Sequence, residues 1–406
     1  MPVQPIPALG SSNPYEAFYL PSFEISVTDK DVLPKDDKGS PVPVEVLYDI
    51  EAVSYVDNIE EADSFTLTIT NWDAERRKLK YYGYPDRPSG KDTKFATFFE
   101  PKGQQPTKLL LRLGYQGNLR PMMVGNVSNI ETAFPQDAAP TLKVQALDVL
   151  AKARQDKFTW RWENKTDSEI AKELSQPPNT TRGKPGLGIK ILTHPLAEKP
   201  HPRVAMRQTT VPAFLLERAK LHAYSFFRTV DGGKPAFYFG PTEELTDPPK
   251  DKRYVFEWGK SLLDFTPTLK ASGQPRSVTV RASSRSGPGR IQAKAKLADF
   301  ELNKDLHPYL DGIGEDKEIG DRVVRTNDEA MDLAKSTMRT ALKGLLEVTA
   351  STIGLPDLRA GQLIQIKGVD YRFDGQYFVT QTTHTIDSNG YKTTFKARRE
   401  QKGLSS

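Results

Sequence analysis

Apolar and polar positions alternate with a period of two along much of the chain, in short runs that end at turn-forming residues. Phe23 to Val27, Val53 to Val56, Ser64 to Thr70 and Leu109 to Leu113 are rich in β-branched, aromatic and apolar types, with Pro, Gly, Asp and Asn at their borders, which predicts strands. Met122 to Ile130 and Thr141 to Ala146 extend the series, and Leu147 to Gln155 reads as a short helical piece. Between the strands lies Asn71 to Pro106, polar and rich in Lys, Gly and Pro, too long for a turn and of the kind that forms working loops. A first β-rich domain over 1–155 with a long loop 71–106 is expected.

The pattern then changes. Thr166 followed by Glu169 forms a capping-box signature leading into Ile170, Ala171 and Leu174, so a helix is expected from about Asp167. Pro212 suits a first helical turn, with Phe214, Leu215, Ala219 and Leu221 supplying an apolar side. Tyr224 to Thr229 and Ala236 to Phe239, separated by Asp231-Gly232-Gly233, read as a hairpin. These elements predict a small α+β middle domain over 156–250.

Strand patterns return at Tyr254 to Trp258, Ser261 to Leu269 and Ser277 to Ala282. They are interrupted by one strongly amphipathic helix, boxed by Thr326 and Glu329, with Ala330, Leu333, Ala334, Met338 and Ala341 on one face. Val348, Thr349 and Thr352 turn the preference back to strand, so the helix is expected to stop near Gly344. The third domain is read as a second β-rich domain over 251–406 with an inserted helix 327–344. The fold class is therefore mainly β with an α+β insertion.

Two distant stretches share one grammar. Leu109 to Gly114, Met123-Val124-Gly125 and Leu142 to Ala146 are echoed by Leu363 to Gly368, Phe373-Asp374-Gly375 and Thr394 to Ala397. Matching Gly125 with Gly375 gives nearly equal spacing to the closing alanines, and a repeated β module follows, suited to a small closed barrel or a sandwich.

The run GLPDLRAGQLIQIKGVDYRFDGQYFVTQTTHTIDSNGYKTTFKARR from Gly354 resembles the closing signature of the phage late control protein D family. VDNIEEADSFTLTITNWD from Val56, FLLERAKLHAYSFF from Phe214 and FEWGKSLLDFTPTL from Phe256 agree in order, so the resemblance spans about residues 20–400. It implies a tail hub of a contractile phage or contractile injection system: a homotrimer carrying two barrels per subunit that resemble the tail-tube barrel. Six such barrels would join a hexameric inner tube protein to a trimeric spike, among other baseplate proteins. Related hubs of type VI secretion carry the spike after the hub on the same chain, whereas this sequence stops at Ser406, so a separate spike protein is expected. Assembly in the bacterial cytoplasm is implied, followed by service in a virion or in an extracellular or cell-anchored injection particle.

Composition narrows the field without changing it. With 406 residues, 37% hydrophobic and 27% charged, the chain suits a multidomain globular protein. The 57 basic and 52 acidic residues leave a net charge of +5, too little to imply nucleic acid by itself. Cysteine is absent, which removes disulfides, thiolate metal sites and thiol nucleophiles. Met1 to Pro14 has neither the basic start nor the apolar stretch of a signal peptide, and no apolar run reaches the roughly 18 residues of a spanning helix, so no membrane insertion is expected.

No catalytic constellation stands out, and no catalytic, cofactor or metal residue is assigned. The five histidines, His194, His201, His222, His307 and His384, form no HExxH pair, and no GxSxG elbow occurs. Gly259-Lys260-Ser261 copies the end of a phosphate-binding loop, but Tyr254 replaces its first glycine, which leaves a turn beside Trp258. His384, at an alternating strand position, reads as a packing or hydrogen-bonding residue. Asp57, Glu60, Glu61 and Asp63 could supply a glycosidase pair; a solvated turn is the simpler reading. Thr266 to Ala298 carries Lys270, Arg276, Arg281, Arg285, Arg290, Lys294 and Lys296 without an acid, and its Ser283 to Gly289 part reads as a flexible loop. No aromatic lies between Phe265 and Phe300 for base stacking, so an acidic baseplate neighbour is expected there rather than nucleic acid. The alternatives to a hub are a cell-wall glycan hydrolase and a carbohydrate-binding protein at a tail tip.

Overall fold

The computed structural model describes residues 20–28, 40–41, 44–81, 106–148, 156–194, 198–231, 234–242, 245, 253–270, 272–283, 290–301, 310–312, 314–320, 324, 326–399 and 402–403. Its first unit holds β1 (Pro21–Thr28), β2 (Ile50–Asn58), β3 (Ser64–Thr70), β4 (Lys108–Tyr115), β5 (Asn118–Ala133) and β6 (Thr141–Asp148). Alternation fixes which face is buried: Val53 and Tyr55, Phe65, Leu67 and Ile69, and Leu142 and Val144 all point to one side. Strands at opposite ends of the unit, β2 with Val53 and Tyr55 and β1 with Ile25, contribute to the same cluster, so the sheet curls around its core as a small barrel.

The middle unit pairs β7 (Lys157–Lys165) with β9 (His201–Thr210), and β8 (Ile191–Thr193) with the hairpin β10 (Ser225–Asp231) and β11 (Lys234–Gly240). Helix α1 (Asp167–Leu174) has the full capping box of Thr166 and Glu169, and α2 (Val211–Leu221) is capped by the Thr210 hydroxyl with proline in its first turn. Phe214, Leu215 and Ala219 of α2 pack with Ile170 and Leu174 of α1 and with Phe226 and Phe239 of the hairpin.

The third unit comprises β12 (Val255–Glu257), β13 (Asp264–Leu269), β14 (Pro275–Ser283), β15 (Arg290–Lys296), β16 (Glu315–Ile319), α3 (Asn327–Lys343), β17 (Leu346–Ile353), β18 (Leu363–Lys367), β19 (Gly375–Asp387) and β20 (Gly390–Arg399). Helix α3 is not alone between β13 and β17. Ala330, Ala334, Met338 and Leu342 pack on Val278, Val280, Ile291 and Ala295, so the helix and the three-stranded sheet β15-β14-β16 bury a core of their own.

The two β units are built alike. In the first, hydrogen bonding orders the strands β2-β3-β6-β5-β4; in the other, β13-β17-β20-β19-β18. Residue by residue, Tyr55 opposite Phe65, Phe65 opposite Ala146 and Ala146 opposite Val127 match Pro267 opposite Val348, Val348 opposite Ala397 and Ala397 opposite Val379. Each copy then carries a bulge directly after that valine, between Val127 and Asn129 and between Val379 and Gln381. The duplication is real, but the glycines do not align as the sequence spacing suggested. With Val127 matched to Val379, Gly125 corresponds to Tyr377, and Gly375 to Met123.

Both units belong to one 13-stranded sheet, because Gln381 to Ile386 of β19 pairs antiparallel with Val53 to Asn58 of β2. Close packing seals this joint from behind. The Tyr115 hydroxyl donates to the Gly354 carbonyl at 2.9 Å, and a Cβ on Gly354 would fall 2.0 Å from the Tyr391 ring, so only glycine fits there.

Candidate assembly surface and its buried supports

On the face away from the cores, the sheet is polar across the joint. One row of paired residues runs Lys392, Thr385, Ser54, Thr66, Gln145 and Asn129. Threonine keeps the branched shape that strands favour while staying compatible with water, so such a face can remain wet without losing strand character.

Behind the joint lies a charge network whose members come from all three units. Arg359, in the segment between β17 and β18, donates from Nε to Asp57 Oδ2 at 2.6 Å and from Nη2 to the Met122 carbonyl at 3.2 Å, and it also bonds the Tyr55 hydroxyl. Tyr55 donates in turn to Asp63 at 3.3 Å. Arg228 of β10 reaches Asp63 at 2.9 Å and also pairs with Asp148. Burial, helped by the charge of Asp57 and opposed by Arg228, raises the Asp63 carboxyl to about 7. For Arg359, burial works against ionisation, but Tyr55 and Asp57 outweigh it and the guanidinium is held more firmly charged than usual. The cations and acids thus lock the joint and the middle unit to each other.

His384 sits against this network, stacked on Tyr55 with 5.8 Å between ring centres. Its Nε2 lies 3.0 Å from the Leu358 carbonyl and its Nδ1 3.0 Å from the Tyr391 hydroxyl. Burial pushes it down to about 3, so it is a neutral ring donating from Nε2 and accepting at Nδ1. It is the packing and hydrogen-bonding residue that its strand position suggested.

The acids read as a solvated turn divide into two kinds. Glu60 and Glu61 are exposed, whereas Asp57 and Asp63 are buried and paired with arginines. Asp57 occupies the next inward position after Val53 and Tyr55. The alternation itself carried that signal, but the charge masked it.

A second cluster lies in the middle unit. Asp167, fully buried at the start of α1, receives Arg218 Nε at 2.6 Å and Nη2 at 2.9 Å, with His222 Nε2 at 2.7 Å and His201 Nε2 at 3.2 Å. Burial alone would raise this carboxyl, yet the hydrogen bonds from both histidines and Arg218 hold it well below the usual range. One aspartate and two histidines within 4.8 Å could ligate a metal. The Arg218 Nη2 group, 3.0 Å from His201 Nε2, already occupies that space with positive charge, which fits an ion-paired helix support better than a cation site.

The remaining sequence candidates are not gathered with these residues. His194 stacks on Tyr238, and His307 lies outside the described residues. Gly259-Lys260-Ser261 forms a tight turn, with Lys260 N–H bonded to Glu257 and Gly259 at φ +76°, and no helix follows it as phosphate binding would require. In the basic segment, Lys270, Arg276 and Arg281 pair with Glu347, Asp316 and Glu318 of the same chain. Acidic partners expected on a neighbour are thus found at home for these three, while Arg285 and the Ser284 to Gly289 loop lie outside the described residues. A cleft of about 190 Å³ between the 58–63 turn and α2, with Phe226 and Arg228 in its wall, is smaller than the roughly 300–1,000 Å³ typical of small-molecule sites. No described helix is long and apolar enough to cross a membrane.

A family model described as Alg8 N-terminal domain matches residues 105–388. The chain belongs to that family. The match to the Alg8 N-terminal domain family takes in the later strands of the first β unit, the whole middle unit and most of the second β unit. No curated protein matches the chain in sequence. Among solved structures, the prophage MuSo2 43 kDa tail protein from Shewanella oneidensis is similar over 93% of this chain and 98% of that one, at 14% identity and a TM-score of 0.60. The tail protein from Neisseria meningitidis MC58 is similar over 94% and 97%, at 11% identity and 0.60. A chain of the lidded Francisella PdpA-VgrG complex matches 96% of this chain and 55% of its own length, at 11% identity and 0.52. The fold is that of phage tail proteins.

Proposed function

We propose that this protein is the non-catalytic hub of a contractile phage tail or contractile injection system, related to the late control protein D family. In this reading three copies form a ring that joins a hexameric inner tube to a trimeric spike within the baseplate. The observation that carries it is the duplicated five-strand unit within one sheet: two equivalent units per chain let a threefold ring offer six similar surfaces, and interfaces that match in symmetry can close. The polar face of the sheet would line the axial channel, and the barrel cores would lie behind it. The likeness to tail proteins over almost the whole chain supports the same reading.

The mechanism is transmission of load. When the sheath shortens, tube, hub and spike must move as one body, and the Arg359 and Arg228 network ties the two β units and the middle unit into such a body. Asp57 and Asp63, the acids a glycosidase would need, are each engaged by an arginine, so the glycan hydrolase gains no support from them. Mixing the purified chain with the tube and spike proteins of its particle is expected to give one complex containing all three on size exclusion. A chain that binds neither, or that releases sugars from purified peptidoglycan, would overturn the proposal.

A further inference from the structure

The internal joint between the two β units carries a template for the joint between copies. Strand β2 uses its outer edge to pair with the second half of β19, with Asn58 opposite Gln381, Val56 opposite Thr383 and Val53 opposite Ile386. The duplication supplies a counterpart for each partner: β13 stands where β2 stands, and the second half of β5 stands where that of β19 stands. Among the described residues, neither counterpart edge has a strand partner, since β13 pairs only with β17, and β5 beyond Val127 only with β6. Among the described residues both edges thus keep a row of backbone groups outside any strand ladder, the feature that recruits another strand.

We infer that β13 of one copy adds antiparallel to the outer edge of Asn129 to Phe134 in the next copy, in the register of the internal joint. This rests on the ring reading above and names the surfaces that would form it. Carrying the register across places Lys270 opposite Asn129, Thr268 opposite Glu131, Pro267 opposite Thr132 and Phe265 opposite Phe134. The last pair is independently informative. Phe134 is 65% exposed, one of the few large apolar side chains left in water among the described residues, and its counterpart Ile386 is the residue that meets Val53 in the internal joint. The outer apolar pair is thus repeated in kind, with a ring supplied by each copy.

Proline in β13 fits the same geometry. Lys270 N–H is bonded to Leu345 O at 2.8 Å, so N–H groups two and four residues earlier face β17, and the missing N–H of Pro267 falls on the outer edge. The joint between copies therefore has one donor fewer than the internal one. An edge blunted in this way resists indiscriminate pairing while its side chains still specify one partner. The two surfaces differ, so the contact is head to tail and must close into a ring.

Engineered disulfides read this register directly, because the chain has no cysteine. Glu131 and Thr268 would form a non-hydrogen-bonded antiparallel pair, where Cα atoms approach to about 4.5 Å and a disulfide can form. The double variant Glu131→Cys with Thr268→Cys, oxidised and run without reductant, is expected to give a covalent trimer that collapses to monomer with dithiothreitol. Neither single variant should do so, nor should Glu131→Cys with Thr266→Cys. As a second variant, Phe134→Asp is expected to raise the concentration for half assembly by about tenfold or more. A trimer by light scattering in which the double variant stays uncross-linked and Phe134→Asp has no effect would overturn the edge assignment and leave the ring standing. A chain monomeric both in solution and in the isolated particle would overturn both.

Discussion

Replacing Arg359 by leucine is expected to destabilise the fold by about 3 kcal/mol, because it removes the cation from a carboxylate that stays buried. Asp57 has an 11% exposed side chain and Arg359 a 25% exposed one, so the loss is partly screened and falls at the lower end of the range for broken buried pairs. Tyr55 and the Met122 carbonyl lose a donor in the same step. Lysine at this position restores the charge but not the planar fork that reaches three acceptors, so Arg359→Lys should recover only part of the loss. Urea unfolding followed by fluorescence measures both variants. A change below about 1 kcal/mol for the leucine variant would mean that the network is not what holds the β units together.

The pH dependence set by Asp63 is the second large effect. Its carboxyl binds a proton more tightly in the folded chain, with a pKa of about 7, than at the ordinary 3.8. A raised pKa means that this contribution to stability is complete below about pH 4 and is lost as pH climbs through 7. Asp63→Asn preserves the shape and a hydrogen-bonding oxygen for Arg228 but cannot titrate. Between pH 5 and 8 the unmodified chain should therefore lose about 2 kcal/mol of stability relative to the variant. Paired urea titrations at the two pH values test this. A difference between the two proteins that does not change with pH would show that Asp63 is already ionised at pH 5 and that Arg228 outweighs burial.

Much of the fold could be read from local pattern. Alternation located the strands around Val53, Phe65, Leu109 and Thr141, and the threonines at 166 and 326 marked two helix starts, because these signals lie within a few residues of each other. What escaped was long-range or nearly all polar. Strands β7 and β9 bury only Trp162, Val204 and Met206, and β16 reads EDKEI, with no apolar rhythm until its pairing with β14 is seen. The residue expected to continue a helix after Leu147 is Asp148, which instead ends β6 and faces Arg228.

The buried supports were harder still. Asp57 and Arg359 lie 302 positions apart, and Asp167 meets its partners 34 to 55 positions later, so no spacing rule could join them. The repeat was visible in outline, but its register was not. Gly125 lies inside β5 whereas Gly375 opens β19, so the matched glycines mark different points, and the bulges after Val127 and Val379 set the true alignment without a sequence signature of their own.

Electron cryomicroscopy of the particle's tube-to-spike junction tests the central claim most directly. Three copies of this chain closed into a ring are expected, with six five-strand units around one channel and Ser54, Thr66 and Thr385 facing its lumen. Six copies at that level, or a ring in which the polar face points outward, would contradict it.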